Sequence, residues 1–166
     1  MSLNANRLIC KRKKLSEISA TANMAHTSAM CIQETWNMDE FKSVETHIPG
    51  FVEHRSNRKN RMGGGTAIYV RDEYTVVKSE KFSNGIVECQ LVKIEELHLS
   101  LVNIYRPPGS DISSFREALD KLSTWLEDDR YKLVMMGDFN LPEAGSWSEI
   151  ETLHIRETAA KREGGL

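Results

Sequence analysis

Two carboxylates in this chain stand where a hard cation could be met. Glu34 follows the short apolar run Met30-Cys31-Ile32-Gln33, and Asp138 follows Leu133-Val134-Met135-Met136-Gly137. Each run reads as a buried strand, so each acid emerges where a strand leaves the core. A fold that lays those strands side by side brings both acids to one end of the structure. Mg²⁺ suits such a place, because it takes oxygen ligands, keeps several waters and needs only one or two protein carboxylates beside the oxygens of a phosphate. Acids at strand ends are also common as plain solvated groups, so spacing alone does not define a site. Two more polar groups lie at similar boundaries. Asn140 sits in the break Gly137-Asp138-Phe139-Asn140-Leu141-Pro142, and Tyr105 precedes Arg106-Pro107-Pro108, where two prolines cannot continue a ladder.

A second kind of chemistry is suggested by Arg55, Arg58, Lys59 and Arg61, which concentrate positive charge just before Gly63-Gly64-Gly65. Such a loop can touch backbone phosphates without reading sequence. A solvated charged loop is the simpler reading. Three glycines resemble a phosphate cradle, but a P-loop needs a following helix and a Lys-Ser/Thr pair, and here the strand-like Thr66-Ala67-Ile68-Tyr69-Val70 follows.

The elements that must position these residues alternate along the chain. Leu15, Ile18, Ala22, Ala25 and Ala29 recur at spacings of three and four, which predicts a helix with one weakly apolar face. Residues 30–36 read as a strand, 54–65 as a polar and then glycine-rich loop, and 66–70 as a strand. Tyr74–Val77, Ile86–Ile94 and Leu97–Tyr105 read as three more strands, with a turn at Glu95-Glu96. Asp111 or Ser113 caps a helix carrying the stripe Phe115, Leu119, Leu122, Trp125 and Leu126, and Tyr131–Met136 is a last buried strand. So many adjacent strands favour two sheets packed face to face with flanking helices over a doubly wound sheet.

Composition bounds the rest. The 166 residues make one domain, and 40% hydrophobic with 28% charged residues is the balance of a globular chain. The net charge of −2 leaves no global basic field, so any hold on nucleic acid must be local. No apolar run approaches the roughly 20 residues that cross a bilayer. The N-terminal residues lead into the basic run Lys11 to Lys14 without an apolar segment, so no secretion signal is read and an intracellular place, nuclear or cytoplasmic, is expected. Cys10, Cys31 and Cys89 form no CxxC pair and read as inert thiols.

Taken together, Asn4, Gln33-Glu34-Thr35, Gly63-Gly64-Gly65-Thr66-Ala67-Ile68-Tyr69-Val70, Asn103-Ile104-Tyr105 with Arg106-Pro107-Pro108, and Gly137-Asp138-Phe139-Asn140 stand in an order and spacing that resemble the endonuclease/exonuclease/phosphatase superfamily. The likeness is strongest to the apurinic-like endonuclease domain of non-LTR (LINE, jockey-like) retrotransposons and runs from about Leu3 to about Trp147. The resemblance implies an α/β fold, a four-layered sandwich of two mixed sheets flanked by helices, incomplete at the C-terminus. It places a partial domain at residues 1–147 and a divergent polar tail at 148–166. By position, Glu34 resembles the family's ligand for Mg²⁺, or Mn²⁺ in its place. Asp138 would orient or deprotonate the attacking water. Asn140 would bond the phosphate or hold Asp138, Tyr105 would give its hydroxyl to the phosphate, and Asn4 would orient the metal ligand. The implied reaction is phosphodiester hydrolysis of DNA, with a fused reverse transcriptase as partner in a full-length element and no membrane.

One part of the pattern is missing. Family members close on a Ser-Asp-His segment whose histidine moves the proton, and this chain contains no Asp-His pair. His154 is the nearest substitute but lies in a segment without the matching pattern. Weak or absent activity is therefore expected of the chain as it stands. The rival functions are a noncatalytic nucleic-acid- or protein-binding remnant of the same fold, and a phosphatase of the same superfamily acting on a phospholipid or small phosphate ester.

Overall fold

The computed structural model describes residues 1–8, 12–36, 46–56, 63–126 and 130–140. Its elements are β1 (Ser2–Asn4), α1 (Arg12–Met24), β2 (Ala29–Gln33), β3 (Phe51–Ser56), β4 (Thr66–Arg71), β5 (Val76–Ser83), β6 (Glu88–Ile94), β7 (Leu99–Tyr105), α2 (Ile112–Trp125) and β8 (Lys132–Asp138). They build two four-stranded sheets, one ordered β1-β2-β4-β3 and the other β5-β6-β7-β8. Both are mixed: β1 runs parallel to β2 and β7 parallel to β8, while the other neighbours are antiparallel. Each parallel pair is bridged by a helix, because parallel neighbours need a long crossover.

Three apolar seams separate four layers. Leu15, Ile18 and Ala22 of α1 lie on Met30, Ile32, Ala67 and Tyr69 of the first sheet. Phe115, Ala118, Leu122 and Trp125 of α2 lie on Cys89, Leu91, Val102 and Ile104 of the second. Between the sheets, Cys31, Ile68 and Val70 meet Val92, Ile94 and Leu101. This is the sandwich that the alternation of strands and helices predicts. The central strand β6 is buried at every position and the edge strand β5 alternates half-buried with exposed, as two-sided and one-sided burial require. No helix among the described residues is long and apolar enough to cross a membrane.

Some boundaries differ from the sequence reading. α1 stops at Met24, leaving Ala25 exposed and moving Ala29 into β2. The stop is a Schellman turn in which Thr27 N donates to Ala22 O at 2.9 Å and His26 N to Asn23 O at 3.2 Å, with His26 at φ 47°. No glycine marks it, so the apolar spacing ran on past the true end. β3 occupies part of the stretch read as a polar loop. Its Glu53 accepts the buried hydroxyl of Tyr69 at 2.9 Å, so polarity there serves packing rather than solvent. β1 needs only three residues, because each of them pairs in register with β2. At α2 the cap is Asp111, whose carboxylate accepts Ser114 N at 2.8 Å.

The seam between the sheets changes character along its length. The apolar residues of β2, β4, β6 and β7 fill one end, and Gln33, Thr66, Glu88, Gln90 and Asn103 occupy the other, all buried. Asn103 crosses the gap at that polar end, its Nδ2 donating to Ile32 O and Ala67 O at 3.0 Å each, while its Oδ1 accepts from Gln33 Nε2 at 2.6 Å.

Two stability tests follow from this packing. Gly137 pairs with Ile104 across β7 and β8, and a Cβ built on it would lie 2.0 Å from Ile104 O. Gly137→Ala is expected to lower unfolding free energy by at least about 2 kcal/mol in denaturant titration. His54 shares the inner face of β3 and β4 with Ile68, and burial holds its pKa below the usual 6.5. The unfolded chain therefore takes up the proton first: His54's contribution is full above about pH 6.5 and declines as pH falls toward the lower folded value. His54→Gln should flatten that part of the stability profile.

Candidate active site

The residues singled out from sequence converge at the polar end of the seam. Tyr105, at the end of β7 in the second sheet, donates its hydroxyl to Glu34 Oε1 at 2.9 Å, just past β2 in the first. Asn4, at the end of β1 in the first sheet, donates Nδ2 to Asp138 Oδ2 at 2.8 Å, at the end of β8 in the second. Each acid is thus held by a residue of the opposite sheet. Ser2, Asn4, Gln33, Asp138, Phe139 and Asn140 line an open cleft of about 540 Å³ there, a volume suited to a small ligand or a stretch of a larger one.

Gly137-Asp138-Phe139-Asn140 has a physical reason at every position. Gly137 admits the carbonyl of Ile104 where any side chain would collide. Asp138 turns into the cleft. Phe139 anchors the turn against Phe115 of α2, edge to face with centroids 6.1 Å apart. Asn140, at φ 42°, donates Nδ2 to Arg106 O at 2.8 Å. That nitrogen is engaged by the loop after β7, not by Asp138. Arg106 returns the bond, its Nη1 donating to Asn140 O at 2.8 Å and its Nη2 to Ser110 O.

Glu34 is positioned by its neighbours' backbones. Arg7 N donates to Glu34 O at 2.8 Å and Leu8 N to Thr35 O at 2.9 Å on one side. On the other, Trp36 N donates to Gly64 O at 2.8 Å and Thr35 N to Gly65 O at 3.2 Å. Gly65 N in turn donates to Glu88 Oε2 at 2.7 Å, a buried carboxylate of β6. A Cβ on Gly65 would lie 2.5 Å from Thr35 Oγ1. The glycine triplet therefore braces Gln33-Glu34-Thr35 and is not followed by a helix that would make it a phosphate cradle. Lys14, in the first turn of α1, donates to Ala5 O and ties the helix to the turn after β1.

Backbone strain marks the same place. Of the seven non-glycine residues with positive φ among those described, Asn6, Arg7, Glu34, Trp36 and Asn140 belong to the segments around the cleft, and only His26 and His98 lie elsewhere. Such conformations persist only where surrounding bonds enforce them, and they concentrate at functional sites.

Other sequence assignments fall out differently. Arg55 is not in a loop: it lies in β3, paired with Ala67, whose side chain faces the α1 layer. Arg58, Lys59, Arg61 and His154 lie outside the described residues, as does Cys10. Cys31 and Cys89 are buried free thiols, each pushed up to about 12 by that burial, which leaves them protonated and unreactive. Sequence reasoning missed Arg106 and Glu88, which hold the two acid-bearing turns. Arg106 sits inside the Tyr-Arg-Pro-Pro signal, while a lone glutamate before an apolar run gave no signal for Glu88.

The donor set suits a hard divalent ion better than a closed metal cage. Among the described residues no group of three or more His, Cys, Asp or Glu side chains comes together. One or two carboxylates beside amide and hydroxyl oxygens are what Mg²⁺ takes when phosphate and water complete its shell.

A model of the Endonuclease/Exonuclease/phosphatase family matches residues 1–152. No curated protein matches the chain. Among solved structures, D. rerio TDP2 complexed with single strand DNA product is similar with a TM-score of 0.66 at 11% identity, over 89% of this chain and 62% of that one. An AP endonuclease from Archaeoglobus fulgidus is similar with a TM-score of 0.58 at 23% identity, over 86% and 58%. ANGEL2, a 2',3'-cyclic phosphatase, gives 0.61 at 15% identity, over 90% and 54%. This chain thus spans between about half and two thirds of the length of these three structures, and at such identities the likeness is one of fold. Because the family pattern runs through the strands that deliver both Glu34 and Asp138, and the sandwich is the one these structures share, the chain belongs to the Endonuclease/Exonuclease/phosphatase family.

Proposed function

We propose that this chain hydrolyses phosphodiester bonds of DNA with Mg²⁺, as an endonuclease of the retrotransposon type. The observation that carries the reading is the reciprocal pairing of Tyr105 with Glu34 and of Asn4 with Asp138 across the two sheets. Two acids fixed at the polar end of the seam by bonds to the opposite sheet are preorganised before any ligand arrives, which is what electrostatic catalysis requires. The similarity to TDP2 complexed with single strand DNA product and to an AP endonuclease favours DNA over a lipid or small ester. The Tyr-Arg-Pro-Pro segment favours the retrotransposon branch, where a reverse transcriptase would be the fused partner.

In this reading Glu34, whose carboxylate accepts the Tyr105 hydroxyl, would hold the ion, and Mn²⁺ would serve in place of Mg²⁺. When bound, the ion supplies positive charge against the phosphate oxygens. Asp138, aimed by Asn4, orients a water and takes its proton. Asn140 acts by fixing the turn that carries Asp138, since its amide nitrogen is engaged by Arg106. Tyr105 fixes the carboxylate of Glu34 by donating its hydroxyl to it. No Asp-His pair occurs in these 166 residues. Without a proton donor of that kind, the expected rate is on the order of 10²- to 10⁴-fold below that of a site that has one.

Supercoiled plasmid incubated with the chain should be nicked in Mg²⁺ and not in EDTA, and Asp138→Ala and Glu34→Ala should each slow nicking by about 10²-fold. A wild-type chain that nicks no faster than these variants overturns DNA hydrolysis by this chain and leaves the noncatalytic remnant and the phosphatase as the rival readings. Tyr105→Phe removes a bond to the metal-holding oxygen pair, so it should raise the Mg²⁺ concentration for half-maximal nicking by about tenfold or more.

A further inference from the structure

Beside the cleft stands a pair of side chains that hold neither acid. The guanidinium of Arg7 lies over the ring of Trp36, 5.9 Å from its centroid. Arg7 is exposed and Trp36 half-buried. They belong to the two backbone segments that deliver Asn4 and Glu34: Arg7 N donates to Glu34 O, and Trp36 N to Gly64 O. Both sit in the left-handed region, Arg7 at φ 72° and Trp36 at φ 55°. Neither residue type adopts that conformation without cost, and glycine would adopt it freely. The bonds that shape the turn come from the backbone at Arg7, so the fold does not need an arginine there. Its side chain is explained by what it can bind.

We propose that Arg7, braced on Trp36, is a rim anchor that takes a backbone phosphate of a nucleic-acid strand next to the phosphate that reaches Glu34 and Asp138. The inference rests on the hydrolytic reading above and adds a binding contact to it. A guanidinium held near an indole face by a cation–π contact has N–H groups that can match two phosphate oxygens at once. The chain has a net charge of −2, so its hold on a polyanion must come from single cations placed along the strand's path. A polymer meets this geometry better than a free phosphate, because it offers a second phosphate while the first occupies the cleft.

Fluorescence anisotropy of the full chain with a short labelled duplex DNA, in EDTA to prevent turnover, tests this across a salt series with thermal unfolding alongside. Arg7→Gly should weaken binding roughly tenfold at moderate salt and reduce the slope of log K against log salt by about one. It should leave the melting temperature unchanged or raise it, because glycine relieves the strain. Arg7→Lys should keep the slope, since the charge remains, and lose part of the affinity with the fork. Binding and slope in Arg7→Gly that match the wild type, or a wild type with no salt-dependent binding, overturn the anchor. So does a melting temperature that falls in Arg7→Gly, which would make Arg7 a structural residue. Plasmid nicking separates this from the hydrolytic reading: nicking with no change of slope sinks the anchor alone, and a change of slope with no nicking sinks hydrolysis alone.

Discussion

The site depends on how the polar end of the inter-sheet seam is satisfied. Two sheets packed through Ile68, Val70, Val92 and Leu101 could slide on one another, because apolar contact is non-directional. Asn103 removes that freedom by bonding two carbonyls and one side chain of the opposite sheet from a wholly buried position. Each such buried group costs about 1–3 kcal/mol if left unmade, so one sheet-to-sheet alignment satisfies them and its neighbours do not. The pairs Asn4 with Asp138 and Tyr105 with Glu34 are the outermost rungs of the same set. Alignment of the sheets and alignment of the chemistry are therefore one constraint.

That coupling accounts for the strain gathered at the cleft. Glu34, Trp36 and Arg7 are held at positive φ by backbone bonds between the segments after β1, after β2 and before β4, and Asn140 by side-chain bonds with Arg106. Glu88 extends the enforcement inward by fixing Gly65, and Arg106 does so for the turn after β8. Both are buried charged residues, and both bond backbone groups that would otherwise lack partners at the ends of strands. The cost of burying them is offset where the site needs rigidity.

Much of the architecture was legible because it rests on periodicity and on local chemistry. The stripe of α2 and the buried runs of β6 and β7 could be read directly, since each pattern answers to burial on a known face, whereas the apolar run of β8, read as buried, lies at a sheet edge and is half-buried or exposed throughout. β3 was not legible, because an edge strand whose Glu53 serves Tyr69 looks like a loop when its partner is unknown. The end of α1 was not legible either, because His26 does there what glycine usually does. At the site, motif order pointed to Glu34, Asp138, Tyr105 and Asn4, but it aimed Asn4 at the metal ligand Glu34 and Tyr105 at the phosphate, whereas Asn4 bonds Asp138 and Tyr105 bonds Glu34. The cross-sheet exchange of partners is a property of register, and register appears only when the sheets are stacked. The role of Asn140 shifted for the same reason, its nitrogen being taken by a carbonyl that sequence places far away.

Arg106 places a buried positive charge behind the turn that carries Asp138, which bears on how the proposed site would meet a phosphate. Its guanidinium is nearly fully buried, and among the described residues its bonds go to the carbonyls of Phe139, Asn140 and Ser110, with no carboxylate in contact. Carbonyl oxygens engage both of its Nη groups without cancelling its charge, while its buried Nε has no partner among the described residues. The turn it clamps carries Asp138, so a fixed positive charge lies behind one acid of an otherwise negative pair. In a low-dielectric interior such a charge is screened far less than a surface lysine. It lowers the repulsion that Glu34 and Asp138 would present to a phosphate, and it does so without occupying the cleft. A surface cation could supply the same sign of charge, but only at the expense of the space in which the phosphate must sit.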